Sequence, residues 1–168
     1  IWAAPEAYDK DILDGWKKLS YGKREGWEVG AGYYGMMSPF TDMTVAGAIW
    51  YQGEANRQNG RYYGRALTQM IGFWRKQFNQ SIPFYMVQIA PKEYDDNDLR
   101  GAIVREQQEL VAKTVPNTGI VAVYDIVDNI NSMLNKDFTL KTKKTSRIVN
   151  AKATQVMQYV DFANGYQY

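Results

Sequence analysis

The chain has 168 residues, which sets one domain as the expectation, and 45% of them are hydrophobic, enough to fill a core. The net charge of +2 is too small for a nucleic-acid surface, no apolar run approaches the ~20 residues of a membrane span, and the charged stretch from Ile1 to Lys18 does not read as a signal peptide. There is no cysteine and no histidine, which excludes disulfides, thiolate or imidazole metal sites, and a Ser-His-Asp or Cys-His group built from this chain alone.

The elements follow in chain order. Pro5 opens a helix over residues 5–19 whose Tyr8, Ile12, Leu13 and Trp16 share a face, although Gly15 weakens it. Residues 20–32, rich in glycine and charge, form a loop, and Tyr33 to Phe40 gives one or two helical turns. Thr44 to Tyr51 is a strand so continuously apolar that it predicts burial on both faces of a parallel sheet. Gly60 to Asn79 is a helix, with Tyr63, Leu67, Met70, Ile71, Trp74 and Phe78 inward and Arg61, Arg65, Arg75 and Lys76 mainly in water. Ile82 to Ile89 is the second strand, with Pro83 at its first positions. Asp98 caps a helix over Leu99 to Lys113 that turns Ile103, Leu110 and Val111 inward, and Gly119 to Ile126 is the third strand. A loop over Asp128 to Lys136 leads to a last helix from about Lys143 to Val160, with Val149, Ala153, Val156, Met157 and Val160 inward.

This β-α-β-α-β-α order predicts parallel strands joined by right-handed crossovers. The expected fold is therefore α/β, a three-layer α/β/α arrangement around a parallel sheet. The whole chain reads as a single, partial domain, with residues 1–43 a less regular N-terminal segment. Three strands are few for such a sheet, so the expectation is that part of it is missing, or that residues 1–43 or a second chain cover an edge. Sites in such folds lie beyond the carboxyl ends of the strands, which singles out Gln52 to Asn59, Ala90 to Asp98 and Asp125 to Thr139.

The first of these stretches carries the most information. Gln52, Glu54 and Asn56 place three hydrogen-bonding side chains in five residues around Gly53, directly after an apolar strand. On residue type alone they either build a site or cap the loop and the helix after it. The run Trp50-Tyr51-Gln52-Gly53-Glu54-Ala55-Asn56 resembles a signature of the sialate O-acetylesterase family, a branch of the SGNH hydrolases that act on acetylated carbohydrates. Gly35-Met36-Met37-Ser38-Pro39, Trp74-Arg75, Pro83-Phe84, Val87-Gln88 and Arg105-Glu106-Gln107-Gln108 extend the resemblance in order from Tyr33 to Tyr159.

The resemblance implies a flavodoxin-like parallel sheet, and ester hydrolysis by a serine, a histidine base and an orienting aspartate. It makes Asn56 an oxyanion-hole donor, Gln52, Gly53 and Glu54 substrate-side residues, and Asp137 the remnant of the orienting aspartate. It implies an acetylated carbohydrate as partner and a secreted or periplasmic location; no cofactor is expected, and composition and charge set no metal, no nucleic acid and no membrane as the expectation. The chain departs from the pattern twice. No serine here stands in the strand-turn-helix setting of the family's nucleophile, which precedes this signature. Where the family ends in an Asp-Ile-His-Pro motif, this chain has Asp137-Phe138-Thr139-Leu140, or in a second register Ser132-Met133-Leu134-Asn135. Threonine is no base near neutral pH. The reading is thus a member or fragment of these esterases that is not competent alone; the alternative is a non-catalytic carbohydrate-binding or structural pseudoenzyme. The basic cluster Lys141, Lys143, Lys144 and Arg147 either meets an acidic sugar or is a solvated face.

Overall fold

The computed structural model describes residues 2–19, 28–91, 99–123, 138–141 and 146–149. Strand and helix alternate as the periodicity predicts: β1 (Ala48–Trp50), α2 (Gly60–Gln77), β2 (Phe84–Val87), α3 (Arg100–Thr114) and β3 (Thr118–Val121), preceded by α1 (Lys10–Lys17). The three strands are parallel in the order β1-β2-β3, with Trp50 opposite Met86 and Met86 opposite Ile120. Right-handed crossovers that step twice in one direction put both connecting helices on one face of the sheet. The packing agrees. Trp50, Phe84 and Met86 share a core with Tyr63, Leu67, Met70, Ile71 and Trp74 of α2 and with Val104 and Val111 of α3.

Trp50 is the hub of that core. Its ring lies 5.8 Å from Trp74, 5.9 Å from Phe84 and 6.3 Å from Trp2, the first and last of these edge to face, the geometry that aromatic quadrupoles favour. Helix α3 approaches α2 closely because Gly60 and Gly64 of α2 carry no side chain. A Cβ on Gly64 would meet Gln107 Oε1 at 2.7 Å.

Several expectations are corrected. Helix α1 starts at Lys10, not Pro5, because Asp9 caps it by accepting from the Ile12 amide; Pro5–Ala7 forms a separate 3-10 turn. Of the predicted strand 44–51, only Ala48–Trp50 pairs. The strands are not covered on both faces by the described residues: Ile49 is 44% and Tyr85 50% exposed, because both crossover helices took the other side. Leu110 is exposed rather than inward, and Gln108 takes its place on the buried face of α3. Leu99 occupies the cap position of α3 with no side-chain bond. Arg75 is not simply solvated; it donates to the carbonyls of Ile82 and Asn117 and ties the end of α2 to the starts of β2 and β3. Ser146–Val149, expected within the last helix, is strand β5, antiparallel to β4 (Phe138–Lys141). Phe138, Thr139, Ile148 and Val149 are strand-favouring residues, and the pairing outweighed a stripe that began only at Val149. The remainder of that predicted helix, Asp98 and Asp137 lie outside the described residues.

Candidate functional site

The stretch after β1 turns sharply at Gly53, whose φ of 152° lies in a region that favours glycine. A Cβ there would also sit 2.9 Å from Ile89 Cγ2 and 3.1 Å from Val104 Cγ1, so the backbone is pressed onto the core at this point. The Asn56 amide then bonds the Gly53 carbonyl at 2.9 Å, and Glu54–Asn59 continues as a 3-10 helix into α2. Gln52 and Asn56 are thereby brought to the same side. Gln52 Nε2 donates to Asn56 Oδ1 at 2.7 Å. With Oδ1 engaged, the donor end of the Asn56 amide is directed away from Gln52.

Beneath this pair lies a buried polar network. Tyr63 Oη donates to the Gln52 carbonyl at 2.6 Å and accepts from Trp50 Nε1 at 3.1 Å. Gln108, wholly buried, donates through Nε2 to the same Gln52 carbonyl at 3.1 Å and accepts the Ile89 amide at 3.0 Å. One glutamine on α3 therefore links the end of β2 to the turn after β1. Burial pushes the Tyr63 phenol up to about 12, against the lowering effect of its bonds with Trp50 and Gln108. It stays a neutral donor across the working range of an enzyme. Buried polar groups are costly unless paired, so this network fixes the turn rather than merely decorating it.

A cavity of about 280 Å³ opens beside the pair. Gln52, Asn56, Asn59 and Tyr62 line one wall, and Tyr8, Ile12, Leu13 and Trp16 of the α1 region line the other. The second wall is tied down by polar contacts. Asp9 accepts from Gln69 Nε2 and pairs with Arg65 at 2.6 Å, and Trp74 Nε1 donates to the Trp2 carbonyl at 2.7 Å. Partial burial works to raise the Asp9 carboxyl but is outweighed by bonds from Gln69 and the Ile12 amide and by the Arg65 charge, which hold it below the usual carboxylate range. Gly15 lies where α1 passes Asn59: a Cβ there would be 3.5 Å from Asn59 Nδ2.

A family model described as carbohydrate esterase, sialic acid-specific acetylesterase, matches residues 22–156, most of the chain. The chain belongs to this family. Curated sialate O-acetylesterases from Homo sapiens and Pongo abelii are each 28% identical over 108 residues, and the one from Mus musculus is 26% identical. The match takes in 55% of this chain and 21% of the human protein, so the chain spans about a fifth of the length of these relatives. Among solved structures, a carbohydrate acetylesterase from Xanthomonas citri superposes with a TM-score of 0.63 at 25% identity, over 77% of this chain and 29% of that one. The α/β class with a parallel sheet is shared with this neighbour.

For a member of the acetylesterase family, the described residues bring together Gln52, Gly53 and Asn56 at the carboxyl end of β1 and leave Glu54 beside them, partly exposed. The Asn56 side chain accepts from Gln52 across the turn, and neither Gly53 nor Asn59 makes a side-chain cap bond at the helix starts. Thr139 is in β4, opposite Ile148. The sequence reading missed Gln108 and Tyr63 as parts of the site. The signal for Gln108 was present: Val104, Gln108 and Val111 stand at i, i+4 and i+7, a buried stripe with one polar member. Tyr63 was read only as core, and nothing in the sequence tells which buried tyrosine uses its hydroxyl.

Proposed function

We propose that this chain supplies the oxyanion and substrate wall of a carbohydrate O-acetylesterase site and constitutes the C-terminal part of the catalytic domain. The carrying observation is the Gln52–Asn56 amide pair, held from below by Tyr63 and Gln108 and facing an open cavity. Asn56 Nδ2 donates to the ester carbonyl oxygen as negative charge develops on it. Preorganised donors of this kind act because they need no rearrangement during reaction, and losing one costs ~10²–10³ in rate. Gln52 orients Asn56, Gly53 lets the backbone lie close, and Glu54 reaches a sugar hydroxyl. Asp137 is assigned as the orienting aspartate on sequence alone. The order of motifs supports the C-terminal placement, since the family's serine turn precedes the signature at Trp50 to Asn56.

The chain holds no histidine, so an imidazole base does not come from it. By itself it binds acetylated sugar and does not turn it over. Thr139 in the place of the base favours a second reading, a carbohydrate-binding pseudoenzyme, in which Asn56 recognises an acetyl group without hydrolysis. The test is acetate release from p-nitrophenyl acetate and from an O-acetylated sialic acid, by the chain alone and together with an upstream segment carrying a serine and a histidine. The esterase reading expects turnover only in the second case, lowered ~10²–10³-fold by Asn56→Ala with little change in KM. Sugar binding with no turnover in either case selects the pseudoenzyme. Serine-dependent turnover by the chain alone overturns the statement that it is incompetent.

A further inference from the structure

The cavity beside Asn56 is elongated, because α1 lies along α2 in the opposite direction. Near the end of α1, a Cβ on Gly15 would be 3.5 Å from Asn59 Nδ2; at its start, the Asp9 amide donates to Gln69 Oε1 at 3.2 Å. The cavity runs between these two contacts. Tyr62, Ala66 and Met70 line it along α2, and Trp16, Leu13 and Ile12 along α1. From Tyr62 to Met70 the helix rises about 12 Å, at ~1.5 Å per residue.

Its two ends differ in chemistry. Among the described residues, Gln52, Asn56 and Asn59 bring side-chain amides to the end at the turn after β1. Away from that end the lining is Ala66, Leu67 and Met70 on one side and Ile12 and Leu13 on the other. Tyr8 is the polar member there, and its hydroxyl bonds the Ala3 backbone. A ligand matched to this gradient carries a polar head and an apolar tail in one line. An acyl ester does so. With its carbonyl oxygen on Asn56 Nδ2, the acyl chain and the alcohol leave the carbonyl carbon in different directions. Glu54, the residue proposed to reach a sugar hydroxyl, is outside the lining of the cavity, so the sugar lies on the Glu54 side and the acyl chain enters the cavity. An acetyl group ends one carbon past the carbonyl. It fills little of about 280 Å³, a volume close to the ~300–1,000 Å³ that usually holds a whole ligand.

We infer that the acyl group rather than the sugar occupies this cavity, and that the site takes sugar esters of acyl chains longer than acetyl, at least as far as butyryl. Acetyl esters remain ligands that use only the amide end. The inference rests on the proposed role of Asn56 and adds the acyl range to it. It depends on binding, so it is testable whether or not the chain turns substrate over.

The experiment titrates the intact chain with the methyl glycoside of a sialic acid carrying a 9-O-acetyl, 9-O-propionyl or 9-O-butyryl group, so that only the acyl length varies. Tryptophan fluorescence and the side-chain amide resonance of Asn56 report binding. Affinity is expected to rise ~4-fold for each added methylene, the gain of burying it among apolar side chains. Ala66 and Leu13 are half-buried on opposite sides of the cavity, so a larger side chain at either is compatible with folding. Ala66→Phe and, separately, Leu13→Phe should remove the gain, so that acetyl and butyryl probes bind within ~2-fold of each other. Affinity that stays level or falls from acetyl to butyryl in the unaltered chain overturns the inference; the Asn56 reading stands if Asn56→Ala still weakens the acetyl probe. A gain that persists undiminished in both Phe variants overturns it too, by placing the chain elsewhere. Acetyl binding that ignores Asn56→Ala, or failure of all three probes to bind, removes the substrate-wall reading together with the inference.

Discussion

The two walls of the cavity are built on different principles. The wall from Gln52 to Tyr63 is held by hydrogen bonds buried in the core: Gln108 and Tyr63 both donate to the Gln52 carbonyl, and Gly53 is wedged against Ile89 and Val104. The wall from Trp2 to Lys17 is held by apolar packing of Trp2, Ala3, Ala7 and Tyr8 on the core and by polar contacts nearer the surface, where Asp9 meets Gln69 and Arg65, with one bond from Trp74 to the Trp2 carbonyl. The difference fits the division of labour proposed for the two walls. In the proposed site the oxyanion donor sits on the core-anchored side, as a group that must be fixed to a few tenths of an ångström should.

The largest effect expected is at Gly53. Gly53→Ala combines an unfavourable φ with a Cβ closer than van der Waals contact, and should cost ~3 kcal/mol in urea unfolding. A loss under ~1 kcal/mol would show that the anchored wall can adapt, and the contrast between the walls would fail. Gln108→Leu comes next. It keeps the volume but leaves the Ile89 amide without its acceptor and the Gln52 carbonyl with one donor fewer, for ~2–3 kcal/mol. The side-chain amide resonance of Asn56 should shift in this variant, and an unchanged resonance would detach Gln108 from the positioning of Asn56.

The smallest effects separate the walls by pH. Tyr63 has a phenol raised to about 12 in the folded protein against an ordinary value near ~10, so its contribution is complete below ~10 and is lost as pH rises towards 12. Asp9 is held below the ordinary ~3.9, so its contribution is present above that value and is lost as pH falls through the folded value. Alkali should therefore loosen the Gln52 wall and acid the α1 wall. Hydrogen exchange of the α1 amides and of the Gln52 to Asn56 amides, followed at both ends of the pH range, checks this. Asp9→Ala should abolish the acid-specific loosening of α1; protection of α1 that still falls with acid in this variant would assign the effect to another group.

Much of the framework was readable from single residues. The stripe Tyr63, Leu67, Met70, Ile71 and Trp74 fixed both the existence of α2 and the face it buries, because helical periodicity repeats in every turn. The short strands were readable as apolar runs, but their ends were not, since pairing of Ala48–Trp50 depends on where β2 lies. Which face of the sheet the described helices cover was not legible for the same kind of reason: an apolar strand does not record which side its crossover helix takes. Arg75 was misplaced because an arginine that reaches carbonyls of β2 and β3 looks, in sequence, like one that reaches water.

The sequence by itself determined that the chain cannot build a histidine-dependent triad, that its core alternates parallel strands with helices, and that Trp50 to Asn56 ends a strand in a polar turn. These follow from residue identity and from short-range periodicity. Only the tertiary structure decided that Gln52 pairs with Asn56, that a glutamine from α3, 56 positions away, supports the Gln52 carbonyl, and that α1 closes a cavity over the pair. Hydrogen bonds between distant elements depend on how helices settle against the sheet, and that is fixed by the packing of the whole core rather than by any one stretch of chain.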